Sequence, residues 1–172
     1  MSSATTTLND GTVIPTLAFG SGTALWMQDA STQVKDAIQA GFRHIDTAQM
    51  YKNEDSVGRA IAESGVPRSE LFITTKLEGV PEGKTVKDSL RNSLKLLQLD
   101  YVDLFLIHMP VDHPDLKKTW KEMEECKAEG LAKSIGVSNF QPKHLEVILS
   151  EAKVIPSINQ VRASALSGSR SI

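Results

Sequence analysis

The sequence predicts an α/β fold built on a parallel sheet. From Thr16 onward, short runs rich in β-forming residues alternate with segments whose apolar residues recur at helical spacing. One run, Tyr101–Ile107, is almost wholly apolar, as is typical of a strand that is covered on both faces. Strands that alternate with helices of this length favour right-handed βαβ units, and therefore a parallel sheet.

Six strands are predicted, preceded by a small hairpin. The hairpin covers Leu8–Ile14 and turns at Asn9-Asp10-Gly11, residues that tolerate a positive φ. The six strands then follow in order at Thr16–Gly20, His44–Asp46, Leu71–Lys76, Val102–His108, Ser134–Val137 and Ser157–Val161.

Five helices are predicted between these strands. The third has one apolar face, formed by Val86, Leu90, Leu94 and Leu97. The fourth has a similar face, formed by Leu116, Trp120 and Met123. Three helices are followed by a glycine suited to a left-handed closing residue: Gly41, Gly65 and Gly130. Pro142 suits the first turn of the fifth helix.

Composition narrows the class of protein. The 172 residues suffice for one domain, and 19 basic against 21 acidic side chains give a net charge of -2. This balance, with 5% aromatic residues, gives no reason to expect a nucleic-acid partner. No run approaches the roughly 20 apolar residues of a membrane span, and the polar amino terminus is unlike a secretory signal. We therefore expect a cytoplasmic protein without a membrane partner.

The chain divides into one domain and a tail. We expect residues 1–161 to form the α/β domain. Residues 162–172 contain four serines and show no strand or helix period, so they are predicted to be a disordered tail. The single cysteine, Cys126, excludes an intrachain disulfide and is expected to be an incidental thiol. No residue set indicates a metal site.

Polar side chains follow five successive predicted strands. They are Asp46 with Tyr51 shortly after it, Lys76, His108, Ser138 with Asn139, and Gln160. Ligands of parallel sheets bind at the carboxyl ends of the strands, so these residues mark a candidate site. His44, two residues before Asp46, is expected to be structural. Gly20-Ser21-Gly22 imitates a dinucleotide fingerprint, but Leu25 stands at its third glycine position, so we reject that interpretation.

Asp, Tyr, Lys and His have a coherent joint chemistry. A phenol, with a pKa near ~10, donates a proton poorly at neutral pH unless its phenolate is stabilised. A neighbouring Lys ammonium supplies that stabilisation, and a carboxylate holds the ammonium in place. A His then hydrogen-bonds a carbonyl oxygen. Such a site suits reduction of an aldehyde or ketone beside a hydride donor.

The same residues carry a family resemblance. Four segments resemble, in order, motifs of the aldo-keto reductase family: Gly41-Phe-Arg-His-Ile-Asp-Thr-Ala-Gln-Met-Tyr51 with Asn53-Glu54 after it, Leu71-Phe-Ile-Thr-Thr-Lys76, Asp100-Tyr-Val-Asp-Leu-Phe-Leu-Ile-His-Met-Pro110 and Gly136-Val-Ser-Asn-Phe140. The resemblance runs from about Leu8 to Val161. It implies a (β/α)8 TIM barrel that reduces carbonyl substrates with NADPH.

The resemblance also implies residue roles. Tyr51 is the implied proton donor, tuned by Lys76 and Asp46, and His108 positions the substrate carbonyl. Trp26 is implied to line the substrate pocket. Ser138, Asn139, Gln160 and Asp46 are implied to bind the nicotinamide end of NADPH.

An aldo-keto reductase barrel has eight strands and typically about 250 residues. This sequence supplies six strands and five helices, so an incomplete barrel, truncated after the sixth strand, is expected. Two consequences are predicted. The sheet stays open, with unpaired edges, an apolar interior exposed to water and self-association through those edges. Cofactor affinity is weakened, because the resemblance places the phosphate clamp in loops after the seventh and eighth strands.

Two alternatives to a carbonyl reductase stay open. A partial barrel could act as a non-catalytic interaction partner that pairs its sheet edges with another chain. Lys76 could instead form a Schiff base in a barrel lyase or isomerase, although this leaves Tyr51 and His108 unexplained.

Overall fold

A computed structural model describes residues 4–161. The strands are β1 (Thr5–Thr7), β2 (Val13–Pro15), β3 (Ala18–Gly20), β4 (His44–Asp46), β5 (Phe72–Leu77), β6 (Val102–Ile107), β7 (Ala132–Ser138) and β8 (Asn159–Gln160). The helices are α1 (Ser31–Gln39), α2 (Glu54–Glu63), α3 (Val86–Leu97), α4 (Leu116–Ala128) and α5 (Pro142–Leu149). The predicted tail at residues 162–172 lies outside the described residues.

The strands β3 to β8 form one parallel sheet in sequence order, with one helix between each successive pair. The sheet is curled. This is shown by Gln160 in β8, which donates a 2.9 Å hydrogen bond to Asp46 in β4, four strands away in the sheet. Within residues 4–161, β3 pairs only with β4 and β8 only with β7. The architecture is therefore an open, partial β/α barrel, and the prediction of six parallel strands is confirmed.

The hairpin of β1 and β2 packs against the sheet. Its antiparallel strands join through a turn in which Gly11 has a φ of +84°. Asn9 donates to the carbonyl of Pro156 at 2.9 Å, and the hydroxyls of Thr12 and Ser134 lie 2.7 Å apart. The predicted hairpin is confirmed, although its first strand precedes Leu8.

The apolar interior of the partial barrel is buried. Ile14, Phe72, Leu104 and Leu106 form this cluster, each at most 7% exposed. Leu8 of the hairpin packs against them, as does Ile158 just before β8. The expectation that the interior would be open to water is therefore wrong for the described residues, because these two segments cover it.

The helices pack on the outer face of the sheet as predicted. The apolar face of α3 is buried, and the helix starts at a capping box formed by Thr85 and Asp88. Three glycines after helices have positive φ, as predicted: Gly41, Gly65 and Gly130. Cys126 is buried in α4, and burial raises the pKa of its thiol to about 12. Across residues 4–161 we find no helix with the length and apolar character needed to cross a membrane.

Candidate active site

Side chains alternate between the two faces of a strand, and this alternation places predicted site residues on the inner face of the sheet. Phe72 on β5 and Leu104 on β6 point into the interior, and Lys76 and His108 lie four residues further along the same faces. Both therefore point inward near the carboxyl end of the sheet. Asp46, the last residue of β4, lies at the same end.

Lys76 and Asp46 form a buried ion pair. Lys76 is 2% exposed and Asp46 is 7% exposed. The Lys76 ammonium donates to Oδ1 of Asp46 and, at 3.3 Å, to the carbonyl of Thr47. Gln160 donates to the other carboxylate oxygen at 2.9 Å. Both charges are therefore compensated, as the removal of charged groups from water requires.

Tyr51 lies beside this pair on a short 3₁₀ turn, Gln49–Tyr51. The Lys76 Nζ atom stands 5.3 Å from the centroid of the Tyr51 ring. The His108 ring is 5.7 Å away between centroids and nearly perpendicular, at 86°. Because the turn directly follows the end of β4, it brings Tyr51 back over the strand ends.

The surroundings of His108 favour the neutral imidazole over the charged form. Burial lowers its pKa, and the positive charge of Lys76 lowers it further. Its Nδ1 atom is buried and has no hydrogen-bond partner within residues 4–161. A neutral imidazole presents one N–H donor, from which an oxygen atom of a ligand can accept a hydrogen bond.

Ser138, Asn139 and Gln160 form a polar cluster at the ends of β7 and β8. The Ser138 hydroxyl donates to the backbone carbonyl of Gln160 at 2.8 Å. The Asn139 amide donates to the carbonyl of His108 at 3.1 Å and to Ser138 Oγ at 3.0 Å. Asn139 has a φ of 60°, a left-handed conformation that Asn tolerates better than most residues.

These residues share one cavity of about 560 Å³. Its lining comprises Thr23, Asp46, Met50, Tyr51, Lys76, His108, Met109, Ser138, Asn139, Gln160 and Val161. Every predicted site residue except Trp26 lines it. Trp26 is 53% exposed, and its indole donates to the carbonyl of Met50 at 2.9 Å, so it lies behind a lining residue.

Sequence reasoning missed several members of the site. Thr23 and Val161 line the cavity outside the quoted motifs, and Met50 and Met109 line it from within motifs in which they were assigned no role. Asn53, 1% exposed, donates to the carbonyls of Ser21 and Leu25 and so ties the loop after β3 to the start of α2. Asn53 follows the first family motif in the sequence, but that motif alone predicts no role for it.

His44, the histidine of β4, lies away from this cavity. His44 Nε2 is 2.9 Å from the Thr74 hydroxyl, and Nδ1 is 3.3 Å from the carbonyl of Pro15. Burial lowers its pKa. Its contacts join the sheet to the hairpin.

Fold and site together define a β/α-barrel protein whose candidate active site lies at the carboxyl ends of its parallel strands. The family model described as "Aldo/keto reductase family" matches residues 15–172. The chain belongs to the aldo/keto reductase family.

Curated relatives and solved structures agree with this assignment. Methylglyoxal reductase DkgA of Escherichia coli K12 is 44% identical over 169 residues, which are 96% of this chain and 60% of that protein. Glyoxal reductase of Bacillus subtilis is 44% identical over 158 residues, 91% of this chain and 57% of its own length. The chain therefore spans about 60% of the length of these relatives.

Two crystal structures share the fold. An aldo/keto reductase from Brucella melitensis superposes with a TM-score of 0.83 at 42% identity, covering 93% of this chain and 63% of that one. The Bombyx mori aldo-keto reductase in complex with NADP gives a TM-score of 0.81 at 42% identity, over 94% and 58% of the two chains.

Proposed function

We propose that the protein reduces aldehydes or ketones to alcohols with NADPH, and that Tyr51 donates the proton. The observation that carries this proposal is the buried Lys76–Asp46 pair beside the Tyr51 ring, with His108 against the same ring. A phenol, an ammonium and an imidazole around one cavity supply a proton, a stabilising charge and an orienting hydrogen bond.

The proton step follows from these contacts. The Tyr51 hydroxyl gives its proton to the carbonyl oxygen as negative charge develops there. The phenolate that remains is stabilised by the nearby Lys76 ammonium, which Asp46 holds in position. His108 donates an N–H to the same oxygen and orients it. The carbonyl carbon gains a hydride and its oxygen gains a proton, so the product is the neutral alcohol.

The residues present fit the nicotinamide end of the cofactor. Within residues 4–161, neither Gln160 Oε1 nor Asn139 Oδ1 accepts a hydrogen bond, and both belong to side chains that line the cavity. Amide oxygens of this kind accept from a carboxamide NH₂ group, and the Ser138 hydroxyl is a further partner. When bound, NADPH would supply the hydride. The only basic residue among the described lining is Lys76, already paired with Asp46, so the phosphates find no clamp there.

The substrate class follows from the relatives. Two of them are named for the reduction of methylglyoxal and of glyoxal. Small 2-oxoaldehydes are therefore the proposed substrates. The cavity of about 560 Å³ accommodates a molecule of this size beside the nicotinamide end of the cofactor.

The alternative role of Lys76 as a Schiff-base nucleophile gains no support. A Schiff base requires a free amine, whereas the Lys76 amino group is engaged in a buried ion pair with Asp46. The interaction-partner alternative relies on the unpaired edges of β3 and β8. Biological function that survives Tyr51→Phe would favour it.

The proposed reaction is tested by measuring the conversion of methylglyoxal by the purified protein. The purified protein is incubated with methylglyoxal and with NADPH that is deuterated at its transferable hydrogen, and the products are analysed by mass spectrometry. We expect one molecule of hydroxyketone, carrying deuterium on its carbinol carbon, for each NADPH consumed. No conversion above the protein-free control, by protein that is folded by circular dichroism, would contradict the proposal.

A further inference from the structure

Gly22 lies against the face of the Tyr51 ring. A Cβ atom placed on Gly22 would stand 2.8 Å from Cζ of Tyr51, 3.0 Å from Cε2 and 3.1 Å from Cε1. Because Cζ is the nearest atom and the two Cε atoms follow it, that Cβ would stand over the hydroxyl end of the ring. Among the glycines of residues 4–161, Gly22 alone approaches a side chain of the proposed proton-transfer group in this way.

The backbone that carries Gly22 is anchored on both sides. Ser21 is fully buried, and it donates from its backbone to the carbonyl of Asp46 at 2.9 Å. Its own carbonyl accepts from Asn53 at 2.8 Å, and its hydroxyl donates to Thr47 at 2.8 Å. These bonds tie the loop after β3 to both ends of the segment that bears Tyr51.

The Tyr51 turn is tied to the same loop from the other side. The backbone N–H of Met27 donates to the carbonyl of Tyr51 at 2.9 Å, and Leu25 donates to the carbonyl of Gly22 at 3.1 Å. The loop is therefore hydrogen-bonded to the Tyr51 backbone, while Gly22 of the same loop lies against the Tyr51 ring. If an atom is added between them, the ring has more freedom to move than the anchored loop.

We propose that Gly22 is a positioning residue: its missing side chain lets the Tyr51 ring lie where its hydroxyl serves the active site. This inference rests on the proposed function. Carbon atoms in contact prefer a separation of about 3.5–4.0 Å, so a methyl group on Gly22 displaces the ring by roughly 0.7 Å or more. The hydroxyl then moves relative to Lys76 and His108, which are fixed on β5 and directly after β6.

The experiment compares Gly22→Ala with Gly20→Ala. The two glycines are two residues apart and neither has a positive φ, but a Cβ on Gly20 would meet nothing within 4 Å. Alanine suits the backbone at both positions, so contact with Tyr51 is the difference between the variants. We expect kcat to fall about 10- to 100-fold in Gly22→Ala. The KM for the carbonyl should stay within about threefold, since substrate binding is retained. Gly20→Ala should match the unsubstituted protein in both constants.

A spectroscopic readout is independent of activity. The chain has two tyrosines, Tyr51 and Tyr101, so protein labelled with ring-fluorinated tyrosine gives two fluorine NMR signals, assigned with Tyr101→Phe. We expect the Tyr51 signal to shift in Gly22→Ala and to stay in place in Gly20→Ala, with both variants folded.

The outcomes separate the two claims. An unmoved Tyr51 signal in folded Gly22→Ala would overturn the positioning role, as would an unchanged kcat. If the unsubstituted protein consumes no NADPH with any carbonyl tested, the proposed function fails. The fluorine signal alone then decides whether Gly22 sets the position of Tyr51.

Discussion

At the candidate site, two charged side chains are buried, and each compensates the charge of the other. Lys76 and Asp46 are both nearly inaccessible, and a buried pair of this kind often stabilises a fold less than apolar residues of the same size would. The proposed function gives this pair a purpose, since its ammonium lies 5.3 Å from the centroid of the Tyr51 ring. Gln160 adds a third group to the pair, because its side chain donates to the Asp46 carboxylate. A change in β8 therefore alters the ion pair that lies beside Tyr51, the proposed proton donor.

His113 gives a prediction at the same scale. It is 5% exposed, its Nε2 atom is buried without a partner in the part of the chain that the structure describes, and burial lowers its pKa. The unfolded chain therefore binds the proton more readily. The stability that neutral His113 contributes is present above the ordinary histidine pKa of about 6.5 and is lost as the pH falls below it.

We expect His113→Gln to reduce the loss of stability that occurs as the pH falls below the ordinary histidine pKa. Urea unfolding at about pH 7.5 and about pH 5.5 measures the free energy of unfolding on both sides of the ordinary histidine pKa. The decrease between the two should be smaller in the variant, while the remaining titrating groups are common to both proteins. Equal decreases would show that His113 does not couple to folding.

At the scale of elements, α2 and α3 cross at unusually close range. A Cβ on Gly58 in α2 would lie 2.5 Å from the carbonyl oxygen of Leu96 and 2.7 Å from that of Leu97. Backbone atoms of a helix yield little. The close crossing therefore requires glycine, although glycine is a poor helix former.

Gly58→Ala should reverse the usual sign of a glycine substitution. In an exposed helix, alanine is more stable than glycine by about 1 kcal/mol. Here overpacking should destabilise the protein by about 1–3 kcal/mol. Ala62→Gly, at an exposed position of the same helix, is the control and should lose about 0.5–1 kcal/mol. If Gly58→Ala raises the free energy of unfolding, the crossing is looser than described.

At the scale of the whole molecule, the open sheet defines the surface. Leu17, next to β3, is 67% exposed, and Val161, next to β8, is 59% exposed. Within the described residues the outer sides of β3 and β8 have no partner strand. An unpaired strand beside exposed apolar residues favours pairing with another chain.

The 172-residue chain should therefore self-associate as its concentration rises, measured by sedimentation. Leu17→Lys should weaken the association several-fold, since charge on an edge opposes strand pairing. Val111→Lys adds the same charge at a residue that is 79% exposed and follows β6 in the middle of the sheet, so it should have no effect. A monomer at all concentrations, or equal effects of both variants, would contradict this prediction.

Local patterns account for what could be predicted from the sequence. Strand ends and helical faces depend on the residue pattern of short segments. Asp46, Lys76 and His108 can therefore be proposed as site residues from the sequence alone. The burial of the interior could not be predicted, because it depends on Leu8 meeting strands far along the chain. The role of Gly22 was hidden for the same reason: only folding brings Tyr51 against it.

In the proposed reaction, Tyr51 donates the proton to the carbonyl oxygen. The most direct test compares Tyr51→Phe with Tyr101→Phe, whose ring lies away from the cavity between Arg68 and Lys133. We expect Tyr51→Phe to bind NADPH like the unsubstituted protein but to lose about 100-fold or more in kcat with methylglyoxal. Tyr101→Phe should stay within about twofold. Full activity in Tyr51→Phe, or an equal loss in both variants, would contradict this role of Tyr51.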